Sequence, residues 1–123
     1  MSPLTPLQAP DAAAPRAHYS AAMRAGAMLF VSGQIAPGPD TDVAAQTRQC
    51  LAQIDALLRA AGSSRERIAK VTVVLADLRG MAEFETAYAA FFGAHKPART
   101  LVPAAGLPPG MLVEIDAVAV LDT

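Results

Sequence analysis

The chain has no tryptophan, and phenylalanine and tyrosine together make only 5% of it. It has one cysteine, Cys50, and two histidines, His18 and His95. A single thiol cannot close an internal disulfide, which fits a reducing compartment. The histidines have no Cys, His or carboxylate at ligand spacing, so no metal is expected. An excess of one charge is missing too: Lys plus Arg number 10, Asp plus Glu 11, and the formal net charge is −1. With no basic stripe and few aromatics, nucleic acid is not an expected partner, and an RNA-directed activity fits poorly. No apolar run approaches the roughly 18 residues of a membrane-spanning helix. The first fifteen residues lack the basic start and apolar centre of a signal peptide. No membrane partner is expected, and the expected location is cytoplasmic. Phosphate-cradling, dinucleotide-binding and G-x-S-x-G motifs are absent as well.

What is present is an apolar, single-domain chain. Of 123 residues, 53% are hydrophobic and 17% charged, which excludes a disordered polymer. A chain of this length buries roughly two thirds of its extended surface, enough for one core. Apolar surface left over after that core is filled favours self-association. Residues 1–16 are rich in proline and alanine and read as an extended or disordered lead, leaving 17–123 as the domain.

The elements follow from periodicity. Residues 19–25 and 28–34 flank Gly26-Ala27, a hairpin pattern. Ser32-Gly33-Gln34 closes the second strand, where glycine marks either a bulge or the close approach of backbone or ligand. Asp40, Thr41 or Asp42 is placed to cap a helix. From Val43 that helix carries Val43, Thr47, Cys50, Leu51, Ile54, Leu57, Leu58 and Ala61 on one stripe, and Gly62 stops it. Cys50 on this stripe reads as core filler, since nothing nearby would lower its pKa. Residues 67–76 form a β-branched strand. A second helix follows, with Met81, Phe84, Tyr88, Phe91 and Phe92 on one face, read as core packing. His95 falls in a loop and reads as solvent-exposed. A strand at 99–104, a turn at Gly106-Leu107-Pro108-Pro109-Gly110 and a strand at 111–120 complete the chain. The class is α+β, one sheet with both helices on one face.

The last strand carries the chemistry. Alternation puts Val113, Ile115, Ala117 and Ala119 on one face and Leu112, Glu114, Asp116, Val118 and Val120 on the other. The first set is wholly apolar and should meet the helices. Glu114 then sits on a mixed apolar and acidic second face, which suggests cover by another subunit. If 99–104 pairs with 111–120 across the turn, Arg99 and Glu114 lie on the same side. An arginine fork suits a carboxylate, and a glutamate suits proton transfer. The same pattern also describes an ordinary cross-strand ion pair, which composition alone favours.

Taken together, several stretches resemble the Rid (reactive intermediate deaminase), or YjgF-type, family. They are Tyr19-Ser20, Leu29-Phe30-Val31-Ser32-Gly33-Gln34, Ala45-Gln46-Thr47-Arg48-Gln49, Ala60-Ala61-Gly62-Ser63-Ser64, Val71-Thr72-Val73, Leu75-Ala76-Asp77, Tyr88-Ala89-Ala90-Phe91-Phe92, Pro97-Ala98-Arg99-Thr100 and Leu107-Pro108 through Val113-Glu114-Ile115-Asp116-Ala117. Their order along residues 17–120 is more specific than any one of them. The resemblance implies a chorismate-mutase-like single mixed sheet in the order β-β-α-β-α-β-β and a homotrimer with clefts between subunits. It implies hydrolysis of enamines and imines of the 2-aminoacrylate type to 2-oxo acids and ammonia, with no cofactor. The alternative is a non-catalytic trimer that binds or senses small carboxylic acids, imino or 2-oxo acids among them.

Carried over by motif, Arg99 would hold the substrate carboxylate and Glu114 would activate water. Tyr19, Ser32 and Gly33 would line the cleft. Leu101 stands where the archetype has a cysteine whose backbone contributes to binding, a contact leucine can keep. The departures are Ala17-His18 in place of Gly-Pro, Glu85 in place of a cleft asparagine, and Lys96 in place of an aromatic. Glu85 and Lys96 would make the substrate-binding cleft more polar than the archetype's.

Overall fold

The computed structural model describes residues 3–39 and 42–121. Six strands form one mixed sheet: β1 (Leu4–Leu7), β2 (Ala22–Ala25), β3 (Met28–Gln34), β4 (Ile68–Leu75), β5 (Ala98–Pro103) and β6 (Val113–Val120). Two helices, α1 (Val43–Ala60) and α2 (Met81–Phe92), pack side by side, with α1 against β3 and β6. The α+β single-sheet class holds. Among the described residues no helix is long and apolar enough to cross a membrane.

The helix expectations are met for the stated reasons. Asp42 accepts a hydrogen bond from the Ala45 amide (2.8 Å) and caps α1; such a cap contributes about 1 kcal/mol. Asp40 and Thr41, the other candidates, lie outside the described residues. Gly62, at φ +77°, ends the helix in the left-handed region that favours glycine. Cys50, Leu51, Ile54 and Leu58 on the stripe are almost wholly buried. Each large aliphatic side chain among them contributes roughly 1.5–3 kcal/mol. On α2, Phe84, Tyr88 and Phe92 are buried, and their rings contact in sequence at centroid distances of 5.2 and 4.7 Å.

The strand order β1-β2-β3-β6-β4-β5 departs from two expectations. First, the proline-rich lead is not outside the sheet. Leu4–Leu7 pairs antiparallel with β2, Pro6 facing Met23, so a sixth strand joins the five expected and the sheet begins well before residue 17. Proline lacks a ladder donor and is tolerated there because β1 is an edge. The opposite edge, β5, ends in Pro103. A proline on an edge discourages further strand addition.

Second, β5 and β6 do not form a hairpin. β5 runs parallel to β4, with Val71 opposite Arg99 and Val73 opposite Leu101. β6 runs antiparallel on β4's other side, with Val74 opposite Glu114. The crossover that two parallel strands require is supplied by α2. Residues 104–112 pass over the end of β4: the Ala104 amide donates to Leu75 O and the Ala76 amide to Leu112 O, both at 2.9 Å.

This topology decides which way the site residues point. On β4, Val71, Val73 and Leu75 are buried under the helices, while Lys70, Thr72 and Val74 face away. Residues in register across a ladder share a face. Arg99 therefore lies on the helix side of the sheet and Glu114 on the open side. The expectation that the two share a side is corrected: β4 separates them, and they face opposite ways.

The open side carries exposed apolar side chains beside Lys70, Thr72, Glu114 and Asp116. Met23, Phe30 and Val118 are successive partners across β2, β3 and β6, and Phe30 is 45% exposed. On β5, in register with Val74, Val102 is 41% exposed.

Candidate functional site

The predicted site residues fall into two groups. The first surrounds the end of β3. Its ladder with β6 shifts register between Val31 and Gln34, so Ser32-Gly33 forms a bulge. Both sequence readings of Gly33 apply, because the bulge also admits a side chain. A Cβ on Gly33 would sit 2.6 Å from Glu114 Oε2 and 2.9 Å from Glu114 Cδ. Glu114 is half-buried against this backbone.

The bulge is braced from three sides. The Ser32 hydroxyl donates to Ser20 O at 2.7 Å and the Ser32 amide to Ala21 O at 3.0 Å, tying down the segment that carries Tyr19. Gln53 on α1 donates to Gln34 Oε1 (3.1 Å) and Ile35 O (2.9 Å), and the Gln34 side chain returns to Ser32 O at 2.9 Å. The Cys50 thiol donates to Gln34 O at 3.2 Å. Burial pushes that thiol up to about 12, and the Glu114 charge adds to the shift. Cys50 is thus a neutral core group, as its position on the stripe implied. Tyr19, half exposed, and Gly33 border a cavity of about 720 Å³ between the N-terminal segment and α1.

The second group lies at the β5 edge under α2. Arg99 forms an ion pair through Nη1 with Glu85 Oε1. Its guanidinium carbon lies 4.8 Å from the centre of the Tyr88 ring and 5.5 Å from that of Phe84, both within cation–π range. Glu85 and Tyr88 are one helical turn apart on α2, so they present to the same strand residue. The Tyr88 hydroxyl is buried and makes no hydrogen bond of ordinary geometry. Burial raises its pKa, Glu85 adds to the shift, and the nearby Arg99 charge opposes it. Arg99, Glu85, Lys96 and Tyr88 line a cleft of about 330 Å³. Leu101 shares Arg99's side of β5 and packs, partly buried, against the core.

Tyr19, Ser32, Gly33 and Glu114 therefore belong together, as do Arg99, Glu85 and Lys96. Within one chain the two groups do not meet. His95, expected in solvent, is half-buried with Nε2 2.8 Å from Ile68 O, because its loop folds back against the start of β4.

One residue of the quoted Ala45–Gln49 stretch has a supporting role that the sequence did not reveal. Gln46 is fully buried on α1; its amide donates to Gly110 O at 2.9 Å and accepts from the Leu112 amide at 2.8 Å. It thus holds the entry to β6 two residues before Glu114. A glutamine beside the apolar stripe was the available signal.

Comparison with known proteins agrees with the ordered motifs. Residues 8–121 match the family described as Endoribonuclease L-PSP. Protein HMF1 of Saccharomyces cerevisiae is 40% identical over 121 residues, 94% of each chain. The 2-iminobutanoate/2-iminopropanoate deaminase of Escherichia coli is 43% identical over 103 residues, 77% of this chain and 80% of its own. The crystal structure of E. coli TdcF with bound serine superimposes with a TM-score of 0.89 at 32% identity, covering 96% of this chain and 99% of that one. A match along nearly the whole sheet, with relatives well above 30% identity, leaves one assignment: this chain belongs to the Endoribonuclease L-PSP family, the Rid/YjgF group.

Proposed function

We propose that the protein is a cofactor-independent hydrolase of small imino acids of the 2-aminoacrylate type. Its site is shared between identical chains of a homotrimer: Arg99 comes from one chain, and Glu114 with the Ser32-Gly33 bulge from the next. The observation that carries this reading is the split itself. A half-buried glutamate set against a glycine bulge and an arginine cleft at a sheet edge lie on opposite faces of one chain. The exposed apolar side chains of the open face, Phe30 and Val102, support association through that face. The relative named as an imine deaminase supports the reaction class, and the relative solved with serine supports a site sized for a small amino-acid-like ligand.

In the reaction, Arg99 holds the substrate carboxylate by paired N–H donors and so fixes the C=N carbon. Glu114 takes a proton from a water molecule as its oxygen bonds to that carbon. The carbinolamine nitrogen takes that proton back from Glu114; as the C–N bond breaks, the hydroxyl proton passes to Glu114, the carbonyl forms, and the departing ammonia carries the proton away as ammonium. The substrate is already labile, so orientation and one proton relay suffice.

The test is release of ammonia and 2-oxo acid from an imino acid generated in situ. Wild-type protein accelerates it, and Glu114→Gln lowers kcat by about 10²-fold while retaining carboxylate binding. Saturable binding of 2-oxo acid with no turnover by the wild type would favour a non-catalytic binder instead.

Gly33→Ala is a sharper probe of the bulge. Gly33 is not among the glycines at positive φ, so its backbone accepts alanine. The atoms nearest the new Cβ are Oε2, Cδ and Cγ of the flexible Glu114 side chain. Thermal stability should change little, while kcat should fall about 10- to 100-fold as the carboxylate is displaced. Unchanged kcat would mean that the position of Glu114 does not matter.

A further inference from the structure

Arg99 does not face an empty cleft. Its Nη1 is engaged by Glu85 Oε1, its remaining donors are not taken by other carboxylates, and the Glu85 side chain is 47% exposed. Among the described residues Glu85 makes no other ion pair or hydrogen bond. The cleft therefore offers a cationic fork and, beside it on the same rim, a carboxylate with accepting capacity to spare. Lys96 adds a second positive charge.

A ligand that is only an anion meets this arrangement badly. Its carboxylate is drawn to Arg99 but repelled by Glu85, and a carbonyl oxygen next to the carboxylate would bring a further negative end toward Glu85. A ligand with a carboxylate and a protonated nitrogen on the adjacent carbon matches both groups. A protonated imino acid has this form; the 2-oxo acid derived from it does not.

We infer that Glu85 is a specificity-determining residue: it accepts a hydrogen bond from the protonated nitrogen of a zwitterionic ligand whose carboxylate is held by Arg99. The site then favours imino and amino acids over 2-oxo acids and disfavours retention of its own product. This rests on the reading of Arg99 as the carboxylate clamp. An amide at position 85 would accept from the protonated nitrogen or donate to the keto oxygen, and so would not distinguish the two ligands by charge. Because Glu85 lies on the exposed side of α2, exchanging its oxygen for an amide nitrogen removes the charge without opening the core.

The experiment is calorimetric titration of the full-length protein with a matched pair, L-2-aminobutanoate and 2-oxobutanoate, for wild type, Glu85→Gln and Arg99→Ala. Wild type is expected to bind the amino acid at least about tenfold more tightly than the 2-oxo acid. Glu85→Gln is expected to tighten 2-oxobutanoate by about tenfold and weaken the amino acid, removing the preference. Arg99→Ala is expected to lose both ligands. A preference that survives Glu85→Gln, or a wild type that prefers 2-oxobutanoate, overturns the role of Glu85 and leaves the clamp standing if Arg99→Ala still loses both. Undiminished binding of both ligands by Arg99→Ala overturns the clamp itself. A wild type that binds neither overturns both.

Discussion

Arg99→Ala and Glu114→Gln chains, mixed in equal amounts and refolded together, are expected to recover about a quarter of wild-type imino-acid hydrolysis, each alone being expected to be nearly inactive. Arg99→Ala alone is expected to lose about 10²- to 10³-fold in kcat/KM, because the substrate loses its orienting charge-assisted bonds. Arg99→Lys should be impaired as well, since an ammonium does not reproduce the planar fork. Recovery follows from the split of the site. In the proposed ring, each site would take its arginine from one chain and its glutamate from the next. A site is intact when a Glu114→Gln chain supplies the arginine and an Arg99→Ala chain supplies the glutamate. With random assembly that occurs at about one site in four. Were both residues drawn from one chain, mixing would recover nothing. The rate per chain, measured before and after co-refolding, separates the two cases.

Phe84→Ala is expected to lower the free energy of unfolding by about 3–5 kcal/mol. Phe84 has no exposed surface; its ring contacts that of Tyr88 and lies near the Arg99 guanidinium. Removing the ring leaves a cavity at a fully buried position of α2. For a chain of this length the loss corresponds to a fall in Tm of roughly 10–20 °C. Phe84→Leu, which keeps most of the volume, should cost less than about 1.5 kcal/mol. Thermal melts are compared at one chain concentration, since association shifts the apparent Tm. A Phe84→Ala protein that melts within about 2 °C of wild type would show that the ring is not part of the core.

Much of this molecule is readable from local pattern. The α1 stripe, the Asp42 cap and the Gly62 stop involve residues within a few positions of one another, where periodicity and capping act. The hairpin around Gly26-Ala27 and the alternation of β6 are equally local, and they place Glu114 away from the helices. The ordered family motifs named Arg99, Glu114, Tyr19 and Gly33 together.

What was not legible is long-range pairing. Gly106 to Gly110 has the composition of a hairpin turn, yet the strands it connects flank a third. Sequence does not distinguish a turn between neighbours from a passage over the end of β4. That ambiguity reversed the side on which Arg99 was expected. β1 was hidden for a related reason: Leu4–Leu7 contains Pro6 and has little β propensity, and only its partner β2 makes it a strand. Gln46 escaped because its role depends on two backbone groups more than sixty positions away. Glu85 was singled out as a departure from its family's pattern, but only the structure shows that Arg99 is its partner.

The strand order has a consequence for how the molecule is made. β6, the last of the six strands in chain order, lies between β3 and β4. Without it, β3 and β4 each lack a ladder partner on their interior side, and α1 lacks the β6 part of its floor. During translation the ladder that joins β3 to β4 is therefore missing until β6 is made. Completion waits for the segment carrying Glu114 to leave the ribosome, so folding is expected to be a late, concerted event set by long-range closure. The interval before closure is when the chain is most exposed to aggregation.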